Sequence, residues 1–250
     1  MTALADYQDK FQSIVFRRED GILEMRLHTD GKPLRWGFLP HDELEQAFLD
    51  IGRDRENKVV IMTGTGDEFS GPAPEAKANQ KAHSMGPEAW AELGWTAKNL
   101  ITNLLAIDVP MISAVNGPAL RHPELPVLCD IVLASETAEF QDSAHFVGGL
   151  VPGDGVHVIF PMAMGLNRGR YFLLTGQRLN AKQAMDFGLV NEVLAPDKLL
   201  SRAWELAALV MQQPEINRRY ARLLITEQLR RQMNELLPYG LALEGLAITQ

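Results

Sequence analysis

Cysteine is almost missing from this chain. Cys129 is the single one among 250 residues, which excludes an internal disulfide and the multi-thiolate zinc signatures and makes a reducing interior the simplest setting. No apolar run approaches the ~20 residues that a membrane-spanning helix needs, and Met1 to Gln12 is polar where a secretion signal would be apolar. A soluble, cytoplasmic protein without a membrane partner is therefore expected. Positive charge is also short: 24 Lys and Arg face 32 Asp and Glu, for a formal net charge of −8. Such a chain has no global field to hold nucleic acid. Arg218, Arg219, Arg222, Arg230 and Arg231 do cluster, but Glu227 and Glu235 lie among them, and the stretch reads as a solvated or inter-subunit helix face. The sequence has no His-Glu-x-x-His pattern, no carboxylate cluster and no Gly-rich phosphate loop before a helix, so neither a metal nor a nucleotide cofactor is expected.

What is present suits a globular α/β protein. The composition is 46% apolar and 22% charged, enough to bury a core in one domain or one domain plus an appendage. Ile14 to Arg18 and Ile22 to Leu27 read as a hairpin around Asp20-Gly21, followed by a loop over His28 to Gly37. His41 to Asp54 carries Leu44, Ala47, Phe48 and Ile51 at helical spacing, ahead of a buried-strand pattern at Val59 to Met62. An irregular segment from Asp67 to Gly86 precedes a helix over Pro87 to Ile107. Met111 to Val115, Val127 to Leu133 and Ala138 to Gln141 read as further strands, and strands and helices alternate again around Arg170 to Thr175, Ala181 to Phe187 and Leu189 to Val193. Ser201 to Gln213 and Ile216 to Leu237 read as helices broken at Pro214 and Pro238. The expected division is an α/β core over 1–196 and a helical C-terminal subdomain over 197–250.

Three segments carry a resemblance: Val59 to Phe69 (VVIMTGTGDEF), Val109 to Pro118 (VPMISAVNGP) and Leu150 to Gly155 (LVPGDG). Together with Gly165 to Leu174 and Ala181 to Val193, they resemble the crotonase superfamily over roughly residues 14–193. The resemblance implies a spiral of ββα turns, assembled through C-terminal helices as a homotrimer or a hexamer. Members generally bind acyl-CoA and hold the thioester carbonyl between two backbone N–H groups, one after a Phe-x-Ala-Gly-like segment and one in a glycine run. Here those places read Phe69-Ser70-Gly71-Pro72-Ala73 and Leu120-Arg121-His122-Pro123. Pro123 has no N–H to donate, and bulky side chains replace the glycines that let backbone approach a ligand. Hydratases of the superfamily also use two glutamates. Glu124 falls near the first, but His145 occupies the place of the second.

That pattern is similar to the 6-oxocamphor hydrolase branch, which implies hydrolytic cleavage of a carbon–carbon bond in a cyclic β-diketone without a cofactor. Such chemistry needs a base for water, donors for the oxyanion and an acid for the departing enolate. The resemblance assigns His145 and Asp154 as a water-activating dyad, with Asp154 fixing the tautomer of His145 and stabilising its imidazolium. His122 and Trp36 would donate to substrate oxygens, and Glu244 would relay protons or position groups. The turns at Gly148-Gly149 and Pro152-Gly153 permit Asp154 to reach His145 without demanding it.

Plainer readings stand beside these. A histidine in a polar loop is ordinarily just solvated, an aspartate between two glycines is first a turn residue, Trp36 can simply pack against the core, and His122-Pro123 can be a rigid loop. Glu124 reads as a helix-start charge favoured by the N-terminal dipole. His41 reads as part of a helix start and His157 as a post-turn residue, while His28 and His83 have no motif support. Two other functions compete with the hydrolase: an acyl-CoA hydratase or isomerase using Glu124, and a binding protein that keeps the scaffold without chemistry.

Overall fold

A computed structural model describes residues 2–72 and 85–248. Its first feature is the expected hairpin. β1 (Ile14–Glu19) pairs antiparallel with β2 (Ile22–Leu27), and the turn needs positive φ at Asp20 (50°) and Gly21 (86°), which Asp and Gly accept most readily. β2 then leads into β4 (Val59–Gly64), β6 (Met111–Val115), β7 (Ile131–Ser135) and β10 (Glu192–Leu194), all parallel, in the order β1-β2-β4-β6-β7-β10. Every residue of β4 and β6 is buried, as expected of parallel strands covered on both faces.

One cover comes from α1 (Phe38–Arg53) and α2 (Pro87–Ala106). Leu44, Ala47, Phe48 and Ile51, the residues at helical spacing, are all buried in the main core. The opposite face, made of Ile22, Val59, Ile61, Ile112, Ala114 and Leu133, packs under Leu199, Ala203 and Ala207 of α7 (Pro196–Met211). Those three recur every four residues and so share one helix face. The expected boundary at 197 falls within the first turn of α7, and this helix supplies the second cover of the sheet.

A smaller layer carries the site. β3 (Leu34–Trp36), which the sequence reads as loop, runs parallel to β5 (Ser70–Pro72). Parallel bridges then join Ser70 to Ala119 and Ala119 to Phe140. Phe140 belongs to β8 (Glu139–Phe140), which pairs antiparallel with β9 (Leu179–Asn180). Because β3, β5, Ala119 and β8 run the same way, their carboxyl ends share one edge. Trp36, His122 and Asp142 leave the layer at or just beyond that edge.

Several elements differ from the sequence reading. The strand expected over Val127 to Leu133 begins at Ile131, because α3 (Glu124–Val127) comes first and the Leu128 amide donates to the Glu124 carbonyl at 2.8 Å. Asp130 then receives the Met111 amide on its carboxylate at 2.7 Å. α4 (Val156–Met164) is apolar almost throughout and contains Pro161, so its sequence shows no amphipathic period. α5 (Leu166–Thr175) and α6 (Ala181–Asp186) follow. The single helix expected over 216–237 is two, α8 (Glu215–Ile225) and α9 (Glu227–Ile248), and Pro238 lies inside α9 rather than ending it. A proline removes one helical hydrogen bond, and here buried Met233, Leu237 and Leu241 hold the helix in the core across it.

The arginine cluster also differs from expectation. Arg218, Arg219 and Arg222 are buried, not solvated. Arg222 Nε donates to Asp130 at 2.8 Å, Arg219 Nε donates to Glu215 at 2.9 Å, and Arg219 also pairs with Asp108. α8 is therefore inverted: its arginines Arg218, Arg219 and Arg222 are buried, while Ile216, Tyr220, Leu224 and Ile225 are exposed. No helix among the described residues is long and apolar enough to cross a membrane.

Candidate active site

All five residues singled out by the sequence meet at the edge of the small layer or above it. Trp36 ends β3, His122 follows the Ala119 bridge, His145 follows β8, Asp154 precedes α4, and Glu244 comes from α9. Asp154 is the hub. Its Oδ2 lies 3.3 Å from His145 Nε2 and 3.4 Å from His122 Nδ1. Glu244 Oε1 reaches within 3.9 Å of His145 Nε2, and the Trp36 ring lies against the His122 ring with centroids 3.9 Å apart.

Two glycines permit this convergence. A Cβ on Gly153 would lie 2.5 Å from the Gly240 carbonyl oxygen and 2.6 Å from Glu244 Oε2, while one on Gly240 would lie 2.4 Å from the Gly153 oxygen and 2.3 Å from His157 Cε1. α9 can thus press its backbone against the turn that carries Asp154. His157 Nε2 donates to the Leu236 carbonyl at 3.2 Å and helps hold that helix in place.

The sequence reading misplaced one role. Asp142, not Asp154, occupies His145 Nδ1, at 2.7 Å. The same Oδ1 accepts the His145 amide at 3.3 Å, an Asx-type local contact that an aspartate three residues before a histidine can signal. Since a carboxylate only accepts, Nδ1 carries the proton and Nε2 is the basic nitrogen of the neutral ring. His145 is therefore clasped at both nitrogens. Glu124 begins α3, as expected of a helix-start charge, but it is fully buried and binds His122 Nδ1 at 2.7 Å.

His41 lies in the first turn of α1, as expected of a helix start, but its packing into the site was not foreseen. It is buried, and its ring packs edge-on to Trp36 at 6.2 Å between centroids and to His122 at 6.0 Å. A signal was available, because His41 lies three residues before Leu44 and so continues the buried stripe of α1 by one turn. His83 and Ala73 lie outside the described residues.

Burial and charge set the protonation states. Burial acts most strongly against a charged His145, but Asp154 and Asp142 outweigh it and hold the imidazole well above its usual pKa. For Asp154, burial pushes up, yet the charges of His145 and His122 hold it below the usual carboxylate range. Glu244 is pushed up to about 8, by burial first, with Asp154 adding to the effect against the pull of His145. Burial likewise raises Glu124 against the pull of His122. His41 falls to about 4, through burial and then the charge on His122, so it is neutral near pH 7. The second oxygens of Glu124, Asp142, Asp154 and Glu244 are buried without a hydrogen-bond partner among the described residues. Such groups are costly unless they serve an incoming donor.

His122, Glu124 and Asp154 each bring one atom of metal-ligand type within 4.8 Å of the others. The 2.7 Å contact between His122 Nδ1 and Glu124 is that of a hydrogen bond from an imidazole N–H to a carboxylate. The arrangement can accept a proton at His145, hold charge on a substrate oxygen near Trp36 and His122, and return a proton from Glu244.

The enoyl-CoA hydratase/isomerase family matches residues 20–245. The chain belongs to that family. Within it, a β-diketone hydrolase from the cyanobacterium Anabaena sp. PCC 7120, solved with bound (S)-3-oxocyclohexyl acetic acid, is 46% identical with a TM-score of 0.93, covering 98% of this chain and 97% of that one. A crotonyl-CoA hydratase of Syntrophomonas wolfei is 27% identical over 82% of this chain and 78% of its own length. A carnitinyl-CoA dehydratase of Citrobacter koseri is 29% identical over 78% of this chain and 73% of its own length. The chain is thus a crotonase-superfamily enzyme with the α/β fold of that superfamily.

Proposed function

We propose that this enzyme is a hydrolase that opens cyclic or bicyclic β-diketones at a carbon–carbon bond, giving a keto acid. The observation that carries the reading is His145 clasped by Asp142 and Asp154 beside an imidazole and an indole, where a hydratase would present a glycine run. The likeness to the Anabaena hydrolase supports it.

Neutral His145 takes a proton from water through Nε2 as the water oxygen adds to one carbonyl, and Asp154 stabilises the resulting imidazolium. Indole N–H of Trp36 and an N–H of His122 hold the oxyanion. The tetrahedral adduct then collapses, the bond from its carbon to the carbon between the two carbonyls breaks, and the electron pair leaves as the enolate of the remaining ketone. Glu244, protonated below about pH 8, or the imidazolium of His145 returns a proton to that carbon. We further propose assembly as a homotrimer or hexamer, supported by the exposed apolar residues of α8.

The test is hydrolysis of a panel of cyclic 1,3-diketones, including the bicyclic dione whose opening would give 3-oxocyclohexyl acetic acid, scored by acid release. Wild type should turn over at least one, and His145→Ala should lose about 10²–10⁴-fold in kcat. The second reading is an acyl-CoA hydratase or isomerase, which the names of the sequence relatives favour. Hydration of crotonyl-CoA without any diketone cleavage would replace the first reading by the second. Against it stand Pro123, which offers no backbone donor, and the engagement of Glu124 by His122.

A further inference from the structure

Three features of His122 and Glu124 remain unexplained by fold alone. His122 has a φ of 47°, a left-handed conformation that costs a non-glycine residue about 1–3 kcal/mol. Glu124 is the wholly buried first residue of α3, where a carboxylate loses its hydration for no packing gain. The two meet at 2.7 Å through Nδ1, while the ring face lies on Trp36 with an interplanar angle of 31°. The strained backbone, the buried acid and the stacked indole all act on the orientation of one imidazole.

We propose that Glu124 is a positioning residue for His122: by accepting Nδ1–H it keeps the imidazole doubly protonated, so that Nε2–H donates to the substrate oxygen on which negative charge develops. This rests on the hydrolase reading and assigns a task to the glutamate that a hydratase would use as its acid or base.

A neutral imidazole carries a single N–H. With Glu124 and, at 3.4 Å, Asp154 both facing Nδ1, that proton resides at Nδ1, and a neutral ring would offer a substrate carbonyl only the lone pair of Nε2. Donation from Nε2 requires the second proton. The charged groups facing His122 come from every side: Glu124 on α3, Asp154 ahead of α4, and His145 after β8, with neutral His41 on α1 and Trp36 on β3 completing the surround. Burial and the charge of His145 oppose a cationic His122, and Glu124, aided by Asp154, outweighs them and raises its pKa. An imidazolium donor gives a charge-assisted hydrogen bond, roughly twice as strong as a neutral one. The same 2.7 Å contact removes Glu124 Oε1 from direct acid–base work.

Two measurements test this. Two-bond nitrogen–proton NMR of the imidazole rings, with the His122 signals assigned by their loss in His122→Asn, needs no substrate. Wild type at pH 7.5 should show both His122 nitrogens protonated, and Glu124→Gln, which keeps an acceptor at the same place without its charge, should show a neutral ring. With a diketone substrate, Glu124→Gln should lower kcat about 10²-fold with KM changed only a few-fold and with the alkaline limb of the rate profile moved to lower pH; Glu124→Asp should recover part of the loss. A neutral His122 in wild type overturns the proposal, and so does a folded Glu124→Gln with wild-type His122 protonation and an unmoved limb. Should Glu124→Gln fail to fold, the wild-type spectrum still decides. A chain that cleaves no diketone yet shows a Glu124-dependent imidazolium would sink the hydrolase reading and keep the pair.

Discussion

His145 is flanked by carboxylates at both ring nitrogens, and the two do different work. Asp142 fixes which nitrogen is basic, and Asp154 faces that nitrogen. Both raise its pKa, which makes a stronger base available to a smaller fraction of molecules at neutral pH. Because a base acts when unprotonated, kcat/KM should rise with pH through a value above the ordinary 6.5. Asp142→Asn keeps an acceptor for Nδ1–H but deletes a charge that favours the imidazolium, so the acid limb should move to lower pH, and a pH–rate profile checks it. Glu244 links the site to stability. Its folded pKa of about 8 lies above its usual 4.5, so its contribution is fully present below about pH 4.5 and is lost as pH rises to about 8. Glu244→Gln should therefore raise Tm relative to wild type more at pH 8 than at pH 5 in thermal scans, while depressing turnover.

The site depends on how closely α9 approaches the turn before α4. Gly240→Ala would drive a methyl into His157 and the Gly153 carbonyl. Overpacking of that kind costs about 1–3 kcal/mol, and it should also separate Glu244 from Asp154, so activity should fall further than the Tm shift alone accounts for. α8 has its own dependence. Arg222 is nearly inaccessible and pairs with the largely buried Asp130. Arg222→Met leaves that carboxylate without its cation and should cost about 3–5 kcal/mol in denaturant titrations. The sequence pattern of α8 pointed the other way, because an arginine run is ordinarily a wet face; the acceptors that draw these side chains inward come from segments around Asp108 and Asp130, more than 80 residues away in the chain.

For the whole molecule, the exposed face of α8 is where the proposed assembly would form. Leu224 and Ile225 are 77% and 70% exposed, with Tyr220 and Ile216 beside them, and apolar patches of this kind mark contact surfaces. Light scattering on the eluting protein should give three or six times the chain mass of 27.8 kDa. Leu224→Asp combined with Ile225→Lys should shift it toward the single chain, and an unchanged mass would place the contact elsewhere.

The sequence by itself determined the layered α/β plan, since strand and helix periods are local properties: the hairpin at Asp20-Gly21, the buried stripe of α1 and the apolar runs of β4 and β6 all read correctly. It also singled out His122, His145, Asp154, Trp36 and Glu244, which the structure brings together. Tertiary structure alone decided the pairing. Whether an aspartate meets Nδ1 or Nε2 depends on ring orientation, and whether Glu124 faces water or an imidazole depends on what covers α3. The approach of α9 to Gly153 brings together residues about 90 positions apart, a distance over which no sequence period carries information.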